Sequence, residues 1–91
     1  MKIEFDSKKA ASNLKKHGVP FDEAASCLFD PLALVHDDPD AHGEVRLILL
    51  GMSCAGRLLT VCYTLRDEEV IRLISARNAT KKEEKSYAQG I

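Results

Sequence analysis

The 91-residue chain contains no apolar run approaching the roughly 18 residues that a membrane-crossing helix requires. Its opening, MKIEFDSKKAAS, also lacks the basic region followed by an apolar stretch that marks a secretory leader. A cytosolic protein with no membrane attachment is therefore expected. Cysteine is sparse: Cys27, Cys54 and Cys62 are odd in number and form no C-x-x-C pair, which excludes a disulfide framework and a zinc knuckle as organising devices. No glycine-rich phosphate loop, hydrolase nucleophile signature, internal repeat or low-complexity segment occurs. There is no basic excess either. The net charge of −1 excludes the uniform positive surface that most nucleic-acid binders carry.

What charge there is falls unevenly. Residues 1–43 carry five lysines against eight acids, whereas residues 44–91 carry eight basic residues against six acids and include all five arginines, Arg46, Arg57, Arg66, Arg72 and Arg77. An anion would bind the second half. With 45% hydrophobic residues the chain is long enough for one core and too short for two, so residues 1–91 are expected to form a single domain.

Local pattern supplies the elements. Lys2 to Phe5 alternates as a short strand, Asp6 is placed to cap a helix running to His17, and Gly18 to close it. A second helix spans Phe21 to Phe29 and ends at Asp30-Pro31, and Leu32 to Val35 suits a buried strand. EVRLILLGM and RLLTVCYTLR flank the short connection SCAG, and RDEE turns the chain into VIRLISAR, giving three antiparallel strands. Thr80-Lys81-Lys82-Glu83 has the form of a capping box that starts a last helix. The expected architecture is α+β: a mainly antiparallel sheet, two N-terminal helices packed on one face, and a C-terminal helix at its edge or end.

One face of that sheet is left open. On RLLTVCYTLR the row Leu59, Val61, Tyr63 and Leu65 is the more apolar and should meet the helices; Thr60, Cys62, Thr64 and Arg66 should face outward, with Arg46 and Arg72 joining from the neighbouring strands. Arg72 and Arg77 are five apart, so strict alternation sends them to opposite faces unless a bulge or strand end intervenes. Convergent guanidiniums suit a phosphate, and structural ion pairs with Asp67, Glu68 and Glu69 are the alternative reading. The loop HDDPDAH gathers His36, Asp37, Asp38, Asp40 and His42, but Pro39 and the lack of helical spacing favour a solvated loop over a metal site.

Taken together, FDSKKAASNLKKHGVPFDEAA, DPLAL, RLILLGMSCAGRLLTVCYTLR and IRLISARNATKKEEKSY resemble the BrnT toxins of bacterial type II toxin-antitoxin systems, from Phe5 to Tyr87. The resemblance implies a RelE-like fold and metal-independent cleavage of RNA that halts translation, with no cofactor. It also implies a BrnA-like antitoxin partner with a ribbon-helix-helix region, through which alone operator DNA would be contacted. Arg72 and Arg77 would hold the scissile phosphate with Arg66 and Arg46 in support, and Lys81 and Lys82 would steer the flanking backbone. Tyr63 or Tyr87 would stack a base, and His17, Glu83 and Tyr87 are the candidates for proton transfer. Each of these has a structural counterpart: His17 and Glu83 as helix caps, Tyr87 as packing. Pro20 stands where the family leads one to expect a Ser-like cap. The competing function is a non-catalytic RelE-like module that docks a protein or nucleic acid.

Overall fold

The computed structural model describes residues 1–41 and 43–91; His42 of the HDDPDAH loop lies outside the described residues. Strand β1 (Lys2–Glu4) leads into helix α1 (Ser7–His17). The Asp6 carboxylate accepts the Lys8 backbone N–H at 2.7 Å and so satisfies one of the helix's free donors. Gly18, at φ 70°, closes the helix by donating its N–H to the Leu14 carbonyl, a left-handed position where a side chain would be strained. Helix α2 (Phe21–Ser26) starts at Pro20 with no side-chain cap, and Asp22 and Glu23 in its first turn complement the helix dipole instead. Its last turn tightens into a 3-10 segment, Cys27–Phe29.

The remaining elements are β2 (Leu34–Asp37), β3 (Arg46–Met52), β4 (Leu58–Asp67), β5 (Val70–Asn78) and α3 (Lys81–Gln89). They form one five-stranded sheet in the order β1-β5-β4-β3-β2. The pairings among β2, β3, β4 and β5 are antiparallel, while β1 lies parallel to β5, with Ile3 opposite Ile71, so the sheet is mixed. α3 does not extend from the sheet's end. It stands over β2 and β3, where Glu83 and Ser86 share a cleft with Leu34, Ile48 and Leu50.

Burial follows the alternation of β4. Leu59, Val61 and Tyr63 are buried together with Leu49 of β3, Leu73 and Ala76 of β5, and Val19, Phe21, Ala24 and Cys27 from the helical segment. Phe5 meets Phe21 edge-on, with ring centroids 5.4 Å apart. The 3-10 segment sits directly on β3. A methyl group at Gly51 would come within 3.0 Å of the Cys27 carbonyl oxygen and 2.9 Å of Leu49 Cδ2. Gly51→Ala is accordingly expected to destabilise the fold by about 1–3 kcal/mol, as overpacked positions do. An unchanged melting temperature would mean that the segment can retreat from the strand.

Beyond Arg72, β5 has outrun β1 and its edge would be bare. The side chain of Asn13 on α1 fills the gap. Its Nδ2 donates to the Ala76 carbonyl at 2.9 Å and to the Val19 carbonyl at 3.0 Å, and its Oδ1 accepts the Ala76 N–H at 3.0 Å. The buried carboxamide thus pairs with the strand as a peptide group would, and it docks α1 against the sheet.

Candidate functional site

On the face opposite α2, β4 presents Thr60, Cys62 and Thr64, and their partners on β5 are Arg77, Ser75 and Arg72. Cys62 opposes Ser75 whereas Tyr63 opposes Leu73, so Ile74 is an extra residue in the ladder. The bulge at Ile74 resets the alternation: Leu73 and Ala76 both turn to the core, and Arg72 and Arg77, five apart, share the open face.

A cleft of about 310 Å3 lies over this face, lined by Asp38, Asp40, Arg46, Ile48, Thr60, Cys62, Ile74, Ser75 and Arg77. Arg46 enters from β3 and Arg77 from β5, diagonally across β4. Among the described residues, two polar groups here have no hydrogen-bond partner: the buried Nε of Arg46, whose nearest carboxylate is Glu44 at 3.7 Å, and the hydroxyl of Thr60, a residue only 7% exposed. The Thr60 hydroxyl lies beside the Glu83 carboxylate without forming a bond of normal geometry. Buried groups of this kind are rare, and they mark a place where an N–H and an O–H could donate to a ligand's oxygen atoms.

Every arginine has a carboxylate partner, and the partners differ from those the sequence suggested. Arg77 grips Glu83 through two bonds, 2.8 Å and 3.1 Å. Glu83 also accepts the Thr80 N–H at 2.8 Å, and Thr80 Oγ1 accepts the Glu83 N–H, completing the capping box of α3. Burial works against the Glu83 anion, but the Arg77 guanidinium and the Thr80 N–H prevail and hold its pKa at about 2. Arg46 pairs with Asp38 at 3.2 Å; Arg66 and Arg72 share Glu4 at 3.0 and 3.3 Å. Arg57 lies apart, at the β3–β4 turn, forked onto Glu23 of α2 at 2.6 and 2.9 Å. Hydrogen bonding to Arg57 and Ser53 keeps Glu23 below the usual carboxylate range.

Because the folded pKa of Glu83 is depressed from 4.5 to about 2, its contribution to stability is fully present above pH 4.5 and is lost as the pH falls towards 2. Wild type should therefore lose more melting temperature between pH 5 and pH 2.5 than Glu83→Gln loses. Parallel declines in the two proteins would show that the pair contributes nothing to acid sensitivity.

The residues singled out from the sequence separate into groups. Arg46, Arg77 and Glu83 come together at the cleft. Arg72 and Arg66 are on the same side of the sheet but are tied to Glu4 of β1 and do not line the cleft. Tyr63 faces the helices at 6% exposure, where it has no access to a base, and burial raises its pKa. Tyr87 donates to Asp30 at 2.5 Å, and that bond, with burial, raises its pKa to about 12; it pins α3 to the segment after α2, away from the cleft. Lys81 and Lys82 are exposed on α3. His17 lines a neighbouring cleft with Lys9, Ser12, Asn13, Lys16, Ile74 and Ser75. Thr60 was expected on this face from the alternation of β4, whereas Asp38 and Asp40 were read only as part of a solvated loop and Ser75 was not singled out, since strand register and the path of the β2–β3 connection bring them there.

A family model described as ribonuclease toxin, BrnT, of type II toxin-antitoxin system matches residues 5–83. The crystal structure of the Brucella abortus ribonuclease toxin BrnT aligns with a TM-score of 0.69 at 26% identity, covering 89% of this chain and 99% of that one. No protein of curated function matches by sequence. A match over most of the length, by sequence pattern and by fold alike, leaves one conclusion: the chain belongs to the BrnT family of ribonuclease toxins of type II toxin-antitoxin systems.

Proposed function

We propose that residues 1–91 act as one endoribonuclease toxin domain, in which the cleft between Arg46 and Arg77 binds the scissile phosphate of an RNA chain. The observation that carries this reading is the bulge at Ile74, which places Arg77 on the same face as Arg46 and beside the unpartnered Thr60 hydroxyl. The reaction is attack of a ribose 2′-oxygen on the adjacent phosphorus. The O2′–P bond forms and the P–O5′ bond breaks; the 2′-oxygen loses a proton and the departing 5′-oxygen gains one. The products are a 2′,3′-cyclic phosphate and a free 5′-hydroxyl.

Charge builds on the phosphate oxygens during that attack, and a forked guanidinium is suited to receive it. Glu83 fixes the Arg77 fork in place. With a pKa of about 2 it remains an anion throughout the physiological range and acts as a positioning residue for Arg77 in preference to taking a proton. The reaction proceeds without a metal ion, since the RNA carries its own nucleophile. Cleavage of cellular RNA would halt translation. A BrnA-like ribbon-helix-helix antitoxin would neutralise the toxin by covering the arginine cleft, and operator DNA would be held by the antitoxin alone. RNA and antitoxin are then expected to compete for the free toxin; a ternary complex in gel filtration would place the antitoxin elsewhere.

The charge balance of the cleft, in which Arg46 faces Asp38 and Arg77 faces Glu83, favours the second reading: a module that docks a partner without cutting RNA. One experiment separates the two. Purified chain is incubated with RNA in EDTA and the new ends are identified chemically. Cyclic phosphate ends support the toxin mechanism. Intact RNA, both alone and with translating ribosomes, would give preference to the docking module.

A further inference from the structure

Acidic groups outnumber the guanidiniums at the arginine cleft, where Asp40 and Glu44 add to the Asp38 and Glu83 partners of Arg46 and Arg77, so the attraction that brings a polyanion to it must come from elsewhere on the surface. Helix α1 provides it. The segment Ser7–His17 contains Lys8, Lys9, Lys15 and Lys16 and no acidic residue. Among the described residues, none of these lysines lies in an ion pair. Lys8 and Lys9 stand in the first turn, where the helix dipole disfavours positive charge, so local helix stability does not explain them.

Position on the helix sorts the lysines further. Lys9, Ser12, Asn13, Lys16 and His17 recur at intervals of three and four and share one face, whereas Lys8 and Lys15 point about 100° away. The first face is the one that lines a cleft of about 230 Å3, whose other wall is Ile74 and Ser75. The same two residues form the wall of the arginine cleft. The bulge of β5 is therefore a saddle with guanidiniums on one side and unpaired lysines on the other, and Asn13 fixes the distance between them by holding α1 to Ala76.

We propose that single-stranded RNA leaves the arginine cleft across Ile74 and Ser75 and continues along the Lys9–Ser12–Lys16–His17 face of α1, whose two lysines take phosphates flanking the scissile one. This rests on the ribonuclease reading of the cleft. The strand must be single because its backbone turns from the sheet's face over its edge within the width of two residues, a bend that a stacked duplex resists. α1, in preference to Lys81 and Lys82 of α3, then steers the flanking backbone.

The test is a salt titration of binding to a fully 2′-O-methylated single-stranded oligoribonucleotide, which cannot undergo 2′-oxygen attack, followed by fluorescence anisotropy. Four proteins are compared: wild type, Lys9→Gln/Lys16→Gln, Lys8→Gln/Lys15→Gln and Arg77→Gln. Glutamine keeps the helix propensity of lysine, so folding is not at issue. Losing two phosphate contacts should flatten the slope of log K against log salt by about 1.4 for the Lys9/Lys16 pair, at about 0.7 per contact on a single strand. The Lys8/Lys15 pair removes the same charge and should flatten it by less than half as much. Equal flattening by both pairs, or by neither, overturns the track while leaving the arginine cleft untouched. Failure of wild type to bind overturns the ribonuclease reading itself and the track with it. Arg77→Gln binding as well as wild type, with the Lys9/Lys16 pair weakened, would detach the helix from the cleft and overturn the continuous path.

Discussion

Arg77→Ala should reduce RNA cleavage by about 100- to 1,000-fold, the usual cost of removing one donor that meets charge developing at a reacting centre. The same substitution should alter stability by about 1 kcal/mol, because the Arg77–Glu83 pair is partly open to solvent and screening lowers what such a pair is worth. Arg77 is 43% exposed and Glu83 26% exposed at the side chain. Once the guanidinium is gone, Glu83 keeps its bond from the Thr80 N–H, so the start of α3 stays capped. Arg77→Lys is the informative companion: it retains the charge but loses the two-pronged grip, and its rate should fall between the two. Cleavage and melting temperature are to be measured on the same preparations. Persistence of cleavage in Arg77→Ala would remove the arginine from the mechanism. A fall of many degrees in melting temperature alongside lost activity would make it a structural brace instead.

Asn13→Ala carries the largest expected effect on folding. The carboxamide satisfies the N–H and carbonyl of Ala76 and the carbonyl of Val19, all in a buried setting, and alanine leaves them unpaired. At about 1–3 kcal/mol for each buried group stranded in this way, the loss is at least about 3 kcal/mol. For a domain of this size that corresponds to a drop of roughly 12 °C or more in melting temperature. Asn13→Asp is nearly isosteric, yet should fare no better, because it replaces the donor that faces both carbonyls with another acceptor. Ser12→Ala, one residue away and exposed, serves as the control. A loss at Asn13 no greater than at Ser12 would mean that water or a shift of α1 satisfies the strand edge.

The sequence made the helices legible at their ends. Asp6, Gly18 and Thr80 with Glu83 are short-range signals, and each acts in the fold through atoms within four residues of itself. The buried row of β4 was readable from its period of two at Leu59, Val61 and Tyr63, which differ from Thr60 and Thr64 in chemistry as well as in parity, but Leu65, expected in the same row, is exposed where the strand becomes irregular. What escaped was everything decided by distance along the chain. β1 joins β5 in parallel although almost the whole domain separates them. Arg57 is the fork that ties Glu23 to the β3–β4 turn, a contact 34 residues apart. Arg66 and Arg72 meet Glu4, which no local pattern nominated. The arginine partnership was legible only as a condition: Arg72 and Arg77 required a bulge, and the bulge is present at Ile74. The basic face of α1 also escaped, because the balance of charge directed attention to the second half of the chain and only the fold sets Lys9, Ser12 and Lys16 beside Ile74 and Ser75.

That extra residue in β5 has a further bearing on how the family can vary. Between Arg72 and Arg77 it is the number of residues, more than their identities, that keeps both side chains on one surface. Deleting Ile74 would restore a regular pleat and turn Arg77 towards the core, and on the ribonuclease reading this should abolish activity although both arginines remain in the sequence. If Arg77 holds the scissile phosphate, the length of this strand between the two arginines should separate active chains from inert ones more sharply than the identity of the residue at the bulge.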